Sequence, residues 1–510
     1  MSLRPVRLRH ARRRLGRRRR APFPDGDRPW AVETRGIEPV ADEDRHGSAR
    51  DLLWLWMAAN LGVIGTVSGA VGAAMGLDFT QIVGVAAAGT AGSFVLVGLL
   101  GVSGQRTGKP MLALSSEVFG RWGNLGPASM SWLSLVGWET VTAVVAADAL
   151  GAALGVPTPA HVGRWWILAA LPVVVGAAVL VSRLGHATIA VVQRAVAWVF
   201  GIATLAVVAG LAAGAGWQHL ADRHPAAPSA LVAALSVVAA GAGISWVNVA
   251  ADYTRYLPRT ERPGAVVGWT VLGASAPLAA LVVVGAACSS AVPKLVSTSD
   301  PVAALGSVLP GWAVGAYFGV AVVGLLAQIV LGLYSSGLTL QAMGVRVRRD
   351  RTVVVDAVVM LCAGGAVIAD QRAFLASFES FVELLACPVA SWAAVFLVGR
   401  AVHRLRRVGL PRWFACGAWT AGTAVGVLCT SSPLFSGPLA GAMSAGSSVG
   451  YVVGAAFAAG VSLAGAVHGS ATQTTSAPSS PRPAPWRGQM QAEPVVVSPG
   501  GEGEGEAAGH

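Results

Sequence analysis

The chain has 510 residues, of which 54% are hydrophobic and only 12% charged, with a formal net charge of +12 at neutral pH. Soluble domains carry about 25% charged residues, so the composition excludes an ordinary soluble protein and points to a polytopic helical membrane protein. The alternating segments of about ten residues that build an outer-membrane barrel are not found in it.

Ten arginines fall in the first 20 residues, MSLRPVRLRHARRRLGRRRR. They suit a cytoplasmic tail beside anionic lipid better than a nucleic-acid grip. No apolar stretch follows them before Leu52, so a cleaved signal peptide is not expected. The mixed-charge stretch RGIEPVADEDRH at Arg35–His46 then reads as a cytoplasmic lip or contact element.

From Leu52 to Met75 the chain runs 24 residues without a charge, long enough to cross a bilayer. It also carries Asn60, Thr66, Ser68 and glycines at 62, 65, 69 and 72, which a lipid-facing anchor does not need. A broken helix lining a polar site and a helix packed closely through small residues both fit that pattern. In all, twelve spans are expected: 52–75, 79–103, 125–151, 165–182, 189–213, 229–250, 265–290, 311–342, 353–370, 374–398, 411–430 and 445–467.

The connections after even-numbered spans are the basic ones. They hold Arg106, Lys109 and Arg121; Arg183; Arg255, Arg259 and Arg262; Arg346, Arg348, Arg349 and Arg351; and Arg400, Arg404, Arg406, Arg407 and Arg412. By the positive-inside rule both termini are cytoplasmic, in a plasma-membrane protein. The division expected is a basic tail over 1–50, a transporter domain over 51–468, and a disordered Ser-, Pro-, Gly- and Glu-rich tail over 469–510.

Polar residues inside the spans are the site candidates. In the third span Trp138 offers a flat face to an aromatic solute, and Thr142 lies one turn on. Its neighbour Glu139 is expensive in a membrane, which suits a proton carrier, a cation partner or a hydrogen-bond acceptor. In the sixth span Ser245 and Trp246 follow Gly241 and Gly243 as cavity candidates, and Asp252 and Arg255 are spaced to form a local ion pair locking the cytoplasmic end. The eighth span carries Gln328, Tyr334, Ser335, Ser336, Thr339 and Gln341. Gln341 offers a donor and an acceptor to amide-like edges of a heterocycle. Ser335 and Ser336 either ligate Na⁺ with carbonyls of the first span or bond to their own helix.

The five cysteines, Cys288, Cys362, Cys387, Cys416 and Cys429, lack close metal-ligand pairing and read as small buried side chains. No zinc-protease, nucleotide-loop or nucleophile-elbow motif stands in a fitting context, so neither an enzyme nor a bound cofactor is expected.

At this point the sequence resembles the purine–cytosine permease branch of the nucleobase–cation symporter family. The marks are RGIEPVADEDRH, AANLGVIGTVSGAVG, the Gly137–Trp138 pair, AADYTRYLP at Ala250–Pro258 and LYSSGLTLQ at Leu333–Gln341, in order over residues 35 to 465. The resemblance implies an all-α fold of twelve helices: two inverted repeats of five, over 52–213 and 229–398, and two further helices over 411–467. Helices 1 and 6 would be discontinuous and would hold a midplane site facing helices 3 and 8. Trp138 would stack on the base, with Glu139, Thr142, Ser245, Trp246 and Gln341 at or near recognition positions. Ser335 and Ser336, with carbonyls of Gly332 and of Leu61 or Ile64, would match the sodium site of the sodium-coupled members.

Two departures stand out: Ser116 where the family often has Arg, and Thr142 where it often has Asn. The function implied is inward symport of a nucleobase, cytosine or a purine, with H⁺ or Na⁺, in contact with the lipid bilayer and without nucleic acid; the oligomeric state stays open. The alternatives are a transporter of another small heterocycle (allantoin, hydantoin or a vitamin pyrimidine) and a non-transporting membrane receptor or scaffold.

Overall fold

The computed structural model describes residues 28–62, 64–156, 160–214, 217–291, 301–307, 309–370, 374–406, 409–432, 434–442 and 449–475. The arginine-rich start and the acidic end lie outside these residues.

Helix α1 (Asp51–Ala59) stops where Asn60 leaves helical geometry, with φ −115° and ψ 10°. The Asn60 side chain turns back to donate to the Trp56 carbonyl at 2.8 Å, satisfying an acceptor that the break exposes. Helix α2 (Ile64–Ala74) resumes the crossing. Its Gly69 lies so near the next-packed backbone that a Cβ would overlap the Val282 carbonyl. Both readings of this stretch therefore hold: a break at its middle and close glycine packing beyond it.

The chain then forms α3 (Phe79–Thr107), α4 (Met111–Gly123), α5 (Leu125–Ala153), α6 (Ala160–Leu184), α7 (His186–Gly214) and the short α8 (Trp217–Ala221). Helix α9 (Pro228–Gly241) breaks at Ala242, whose φ −86° and ψ −114° are not helical, and continues as a 3₁₀ segment over Gly243–Val249. Gly243 seats this break: its N–H donates to Ser93 Oγ at 3.0 Å, and a Cβ there would run into the Ser93–Phe94 backbone. Next come α10 (Pro263–Ala291), the short α11 (Pro301–Gly306), α12 (Gly311–Ala342), α13 (Arg349–Asp370), α14 (Phe374–Arg406), α15 (Arg412–Leu428) and α16 (Gly450–Thr475).

Among the described residues ten helical segments are long and apolar enough to cross a membrane. The broken α1–α2 pair and α15, at 17 residues, fall outside that count and lie where the first and eleventh spans are expected. Second span packs on seventh (α3 on α10), third on eighth (α5 on α12) and fourth on ninth (α6 on α13). Three helices of the first five thus meet their counterparts in the second five, the pairing that two mirrored repeats would give. Helices α14, α15 and α16 pack together at one side.

Three local features differ from the sequence expectation. The basic connection between spans two and three is not a loop but α4, which buries Met111, Leu112, Leu114, Val118 and Phe119 along one face. Helix α16 continues to Thr475, past the expected boundary at 468. Cys362 is exposed on the outer face of α13 rather than buried, while Cys288, Cys387 and Cys429 are buried as expected.

Residues 28–50 close the arginine-bearing end of the bundle. Val40 N–H donates to Gly108 O at 2.9 Å and His46 N–H to Tyr256 O at 2.7 Å. Arg45 reaches the Gln105 carbonyl at 2.5 Å. Burial lowers the pKa of its guanidinium from the ordinary value, with Asp42 acting the other way; an arginine still carries its charge at neutral pH. At the centre sits Glu33, 2% exposed. Its Oε1 accepts from Arg255 Nη2 at 2.8 Å and from the Tyr256 hydroxyl at 2.6 Å. Its Oε2 accepts the His186 N–H at 2.8 Å and lies 3.9 Å from Arg349 Nε.

The ion pair expected between Asp252 and Arg255 is corrected by this geometry. Arg255 turns to Glu33, to the Gly36 carbonyl at 2.6 Å and to the Tyr334 hydroxyl at 2.9 Å. Asp252 Oδ1 instead accepts the Met111 N–H at 2.7 Å and caps α4. The two side chains are three residues apart in a tightly turned segment, but each is drawn to a partner outside it. Removing one partner of a buried ion pair costs about 3–5 kcal/mol. Glu33→Gln should therefore lower the thermal midpoint of the detergent-solubilised protein by several degrees, whereas Glu38→Gln, at an exposed position, should not; equal midpoints for both variants would remove Glu33 from its central place.

Candidate functional site

The two helix breaks face each other across α5 and α12, and between them lie two adjoining cavities. The first is walled by Asn60, Gly62, Gly65 and Ser68 of the first span, by Gly241 and Ala242 at the second break, and by Leu278 and Val282 of α10. The second is walled by Leu135, Glu139 and Thr142 of α5, by Ser245, and by Ile329 and Gly332 of α12. Trp138, Trp246 and Gln328 line both.

The two tryptophans are held from behind. Trp246 takes an edge-on contact with Trp56, centroids 5.5 Å apart at 85°, and Trp56 in turn packs edge-on against Phe94 and Tyr253. Trp138 packs edge-on against Phe381 at 6.2 Å. Such contacts fix ring orientation while leaving a face for a flat solute.

Between the rings the polar groups are few. Neither carboxylate oxygen of Glu139 nor the hydroxyl of Thr142 accepts or donates a hydrogen bond, although both residues are buried. Glu139 lies against Gly332, where a Cβ would come within 2.8 Å of its Oε1. Ser245 stands at the wall, but its hydroxyl donates to the carbonyls of Ala242 at 2.7 Å and Gly241 at 3.3 Å, so it serves the break first. A cavity of this make-up suits a small flat heterocycle with N–H and C=O edges. Buried polar atoms without partners are rare in folded proteins and mark places where another molecule completes the bonding.

Four of the expected residues, Trp138, Glu139, Thr142 and Trp246, are brought together here, with Ser245 beside them. Gln341 is not, and its expected place is corrected. Its Nε2 donates to the Val347 carbonyl at 2.8 Å, and its side chain lies against Gly36 in the N-terminal segment. At about 100° per residue Gln341 sits on the opposite side of α12 from Gly332. Gln328, one turn before Gly332, sits on the cavity side. The polar load of this span was visible in sequence; the helical angle to Gly332 was the signal that separates the two glutamines.

The expected sodium ligands are also not assembled. Ser335 Oγ donates to the Tyr253 hydroxyl at 2.8 Å, and Ser336 Oγ to Asp356 Oδ2 at 2.8 Å. The Leu61 carbonyl lies against Gly324, where a Cβ would approach it to 3.2 Å. Gly324 precedes Ser335 by three turns, about 16 Å along the helix. Ile64 begins α2 on the far side of the break, and Gly332 packs against Glu139. The first-span carbonyl and the hydroxyl pair are thus held apart in this conformation.

Comparison with known proteins gives the same picture. The family model described as "Permease for cytosine/purines, uracil, thiamine, allantoin" matches residues 39–454. The Bacillus subtilis (strain 168) protein YxlA, whose name places it among the purine-cytosine permeases, is 26% identical over 52% of this chain and 56% of its own length. Purine-cytosine permease FCY21 of Saccharomyces cerevisiae is 27% identical over 51% of this chain and 49% of its own. The chain thus spans about half the length of the curated relatives it matches. In structure, the nucleobase-cation-symport-1 family transporter Mhp1, closed with bromovinylhydantoin bound, superposes with a TM-score of 0.67 at 18% identity, over 86% of this chain and 96% of that one. Its inward-facing form gives 0.62.

Losing one buried hydrogen bond to a ligand costs about 1–3 kcal/mol. Gln328→Ala should weaken binding of labelled cytosine, used as probe in an equilibrium assay on purified protein, by about tenfold. Gln341→Ala should stay near wild type, and the reverse ranking would return Gln341 to the site.

Proposed function

The chain belongs to this family of permeases for cytosine, purines and related heterocycles, and from that premise we propose that it is a secondary active symporter importing a nucleobase, cytosine or a purine, together with a cation. The observation that carries the reading is the pair of braced tryptophans, Trp138 and Trp246, closing on Glu139, Thr142 and Gln328 between two broken helices. The base stacks on Trp138. Glu139 and Gln328 meet its N–H and C=O edges, and Thr142 adds a single hydroxyl. The cation favours the occluded state, and one bundle of helices then rocks against the other to open the opposite side.

Both termini lie in the cytoplasm on this reading, because the arginine-bearing connections gather at one end of the bundle. The N-terminal segment around Glu33 is then a plug beneath the inner exit, which must loosen for release.

A second reading within transport is a non-nucleobase heterocycle. It is favoured by the short Thr142 hydroxyl, which makes fewer hydrogen bonds than an amide would and leaves more room. Allantoin, hydantoin or a vitamin pyrimidine are then the competitors to test.

Uptake of labelled cytosine into proteoliposomes, with Na⁺ and pH gradients imposed separately, tests the reading. Saturable uptake driven by one gradient, with adenine, guanine, hypoxanthine, uracil, allantoin and hydantoin as competitors, is the expected outcome. Binding without counterflow would make the protein a receptor. Base–aromatic stacking is worth about 1–3 kcal/mol, so Trp138→Ala should raise the apparent KM about tenfold or more while the protein stays folded. Unchanged uptake kinetics would reduce Trp138 to packing.

A further inference from the structure

A second buried carboxylate lies behind the cavity wall. Asp356, on α13, has no exposed surface. Its Oδ1 accepts the Trp132 indole N–H at 2.7 Å, and its Oδ2 accepts the Ser336 hydroxyl at 2.8 Å. Ser336 lies one turn beyond Gly332, the residue against which the Glu139 carboxylate packs, so its hydroxyl is on the Glu139 side of α12. Glu139 itself is 2% exposed and has both oxygens without a hydrogen-bond partner. Three helices therefore contribute one row of oxygens: Glu139 at the cavity, Ser336 in the middle and Asp356 beyond.

The charged and titratable groups around this row are engaged elsewhere. Arg255 and Arg349 point to Glu33. Asp252 takes the Met111 N–H. The Tyr253 hydroxyl, near Glu139, donates to the Leu331 carbonyl at 2.9 Å and accepts from Ser335. Tyr334 donates toward Glu33 at 3.4 Å. Two carboxylates facing one hydroxyl in a membrane interior, with the neighbouring guanidiniums turned away, are costly if both are ionised. A shared proton relieves that cost.

We propose that Glu139, Ser336 and Asp356 form the seat and relay of the coupling proton, a reading that rests on the symport proposed above. In the relay the Glu139 carboxyl, which holds no hydrogen bond in this conformation, turns onto Ser336 Oγ and gives it its proton as the Ser336 O–H proton passes to Asp356 Oδ2. One O–H bond breaks at Glu139 and one at Ser336; one forms at Ser336 and one at Asp356. Glu139 becomes the carboxylate, Asp356 the acid, and total charge is unchanged. Asp356 lies in the second turn of α13, about 10 Å from its arginine-bearing start, so the row leads from the cavity toward that end. Both Asp356 oxygens are already hydrogen-bonded and Ser336 offers one hydroxyl, which suits a mobile proton better than a coordinated metal ion.

The test uses the full chain in Na⁺-free proteoliposomes, with labelled cytosine as probe and, if another member of the competitor panel gives counterflow instead, that compound. Accumulation driven by an acid exterior is measured beside counterflow, which needs no net proton movement. Asp356→Asn keeps the size and the Trp132 acceptor; its ratio of driven accumulation to counterflow should fall at least about tenfold. Asp356→Glu should recover part of the ratio. Ser336→Ala should lower it too, and decides the matter if Asp356→Asn does not purify as a folded protein. A wild-type ratio in Asp356→Asn, or in Ser336→Ala, overturns the relay and leaves the transporter reading in place. So does wild-type accumulation driven by Na⁺ alone. Wild-type protein that is folded but gives no counterflow with any member of the panel overturns both.

Discussion

Backbone that unwinds inside a bilayer has no water to bond with, and every freed N–H and C=O must find a partner in the protein. The whole site follows from how the chain meets that constraint twice. At the first break Asn60 folds back on Trp56 O. At the second, Ser245 folds back on Ala242 and Gly241, while Ser93 accepts the Gly243 N–H from the neighbouring helix. Both solutions consume short polar side chains and bring glycine against backbone. They also leave a gap where two regular helices would have been filled by side chains, and that gap is the pair of cavities bordered by Trp138 and Trp246.

Charge is distributed with the same economy. Glu33, Arg255 and Arg349 form a nearly closed set at one end, with each oxygen of Glu33 bound to at least one N–H or O–H donor. Asp356 has only neutral donors, the Trp132 indole and the Ser336 hydroxyl, and Glu139 has none. An ion cluster fully satisfied at the bundle end is a lock, since separating it exposes uncompensated charge. A carboxylate left without donors at the cavity wall is open to a ligand or a proton instead. The two kinds of buried charge lie on overlapping stretches of the same helices: Tyr334 of α12 faces the lock, and Ser336, two residues on, faces the carboxylate row. On the proposed mechanism, release at one end and protonation in the middle are linked through α12.

Much of this was legible in the sequence, because composition, span length and the even–odd arginine pattern act over many residues and tolerate local error. The breaks in spans one and six could be expected from Asn60 and the glycines, and Trp138, Glu139 and Trp246 from their cost or size in a membrane. What the sequence hid was partner choice. Asp252 and Arg255 are close in the chain, yet one caps α4 and the other crosses to Glu33, more than 200 residues away. Glu33 looked like part of a polar tail because its burial depends on three distant helices. Asp356 falls inside the expected ninth span, five residues beyond a run of arginines, and was not a site candidate there; only the packing of α13 on α5 turns it to Trp132. Gln328 and Gln341 share a helix and a side chain, and the angle between them on that helix decides which one meets the cavity.

Gly332 and Glu139 show how specificity is set by a missing side chain as much as by a present one. A Cβ on residue 332 would come within 2.8 Å of Glu139 Oε1 and Cγ. Any larger residue at 332 must therefore displace the carboxylate from this position. The pair fixes the floor of the second cavity as an acidic surface, where a side chain on α12 would have supplied its own donor or acceptor. A carboxylate accepts from ring N–H and exocyclic amino groups and, when protonated, donates to a ring nitrogen or carbonyl. On the proposed reading one residue meets either face of an amide-like edge according to its protonation state, and that state is what the proposed row through Ser336 to Asp356 would change. Substrate reading and cation coupling then meet on the same atoms, so neither event is independent of the other.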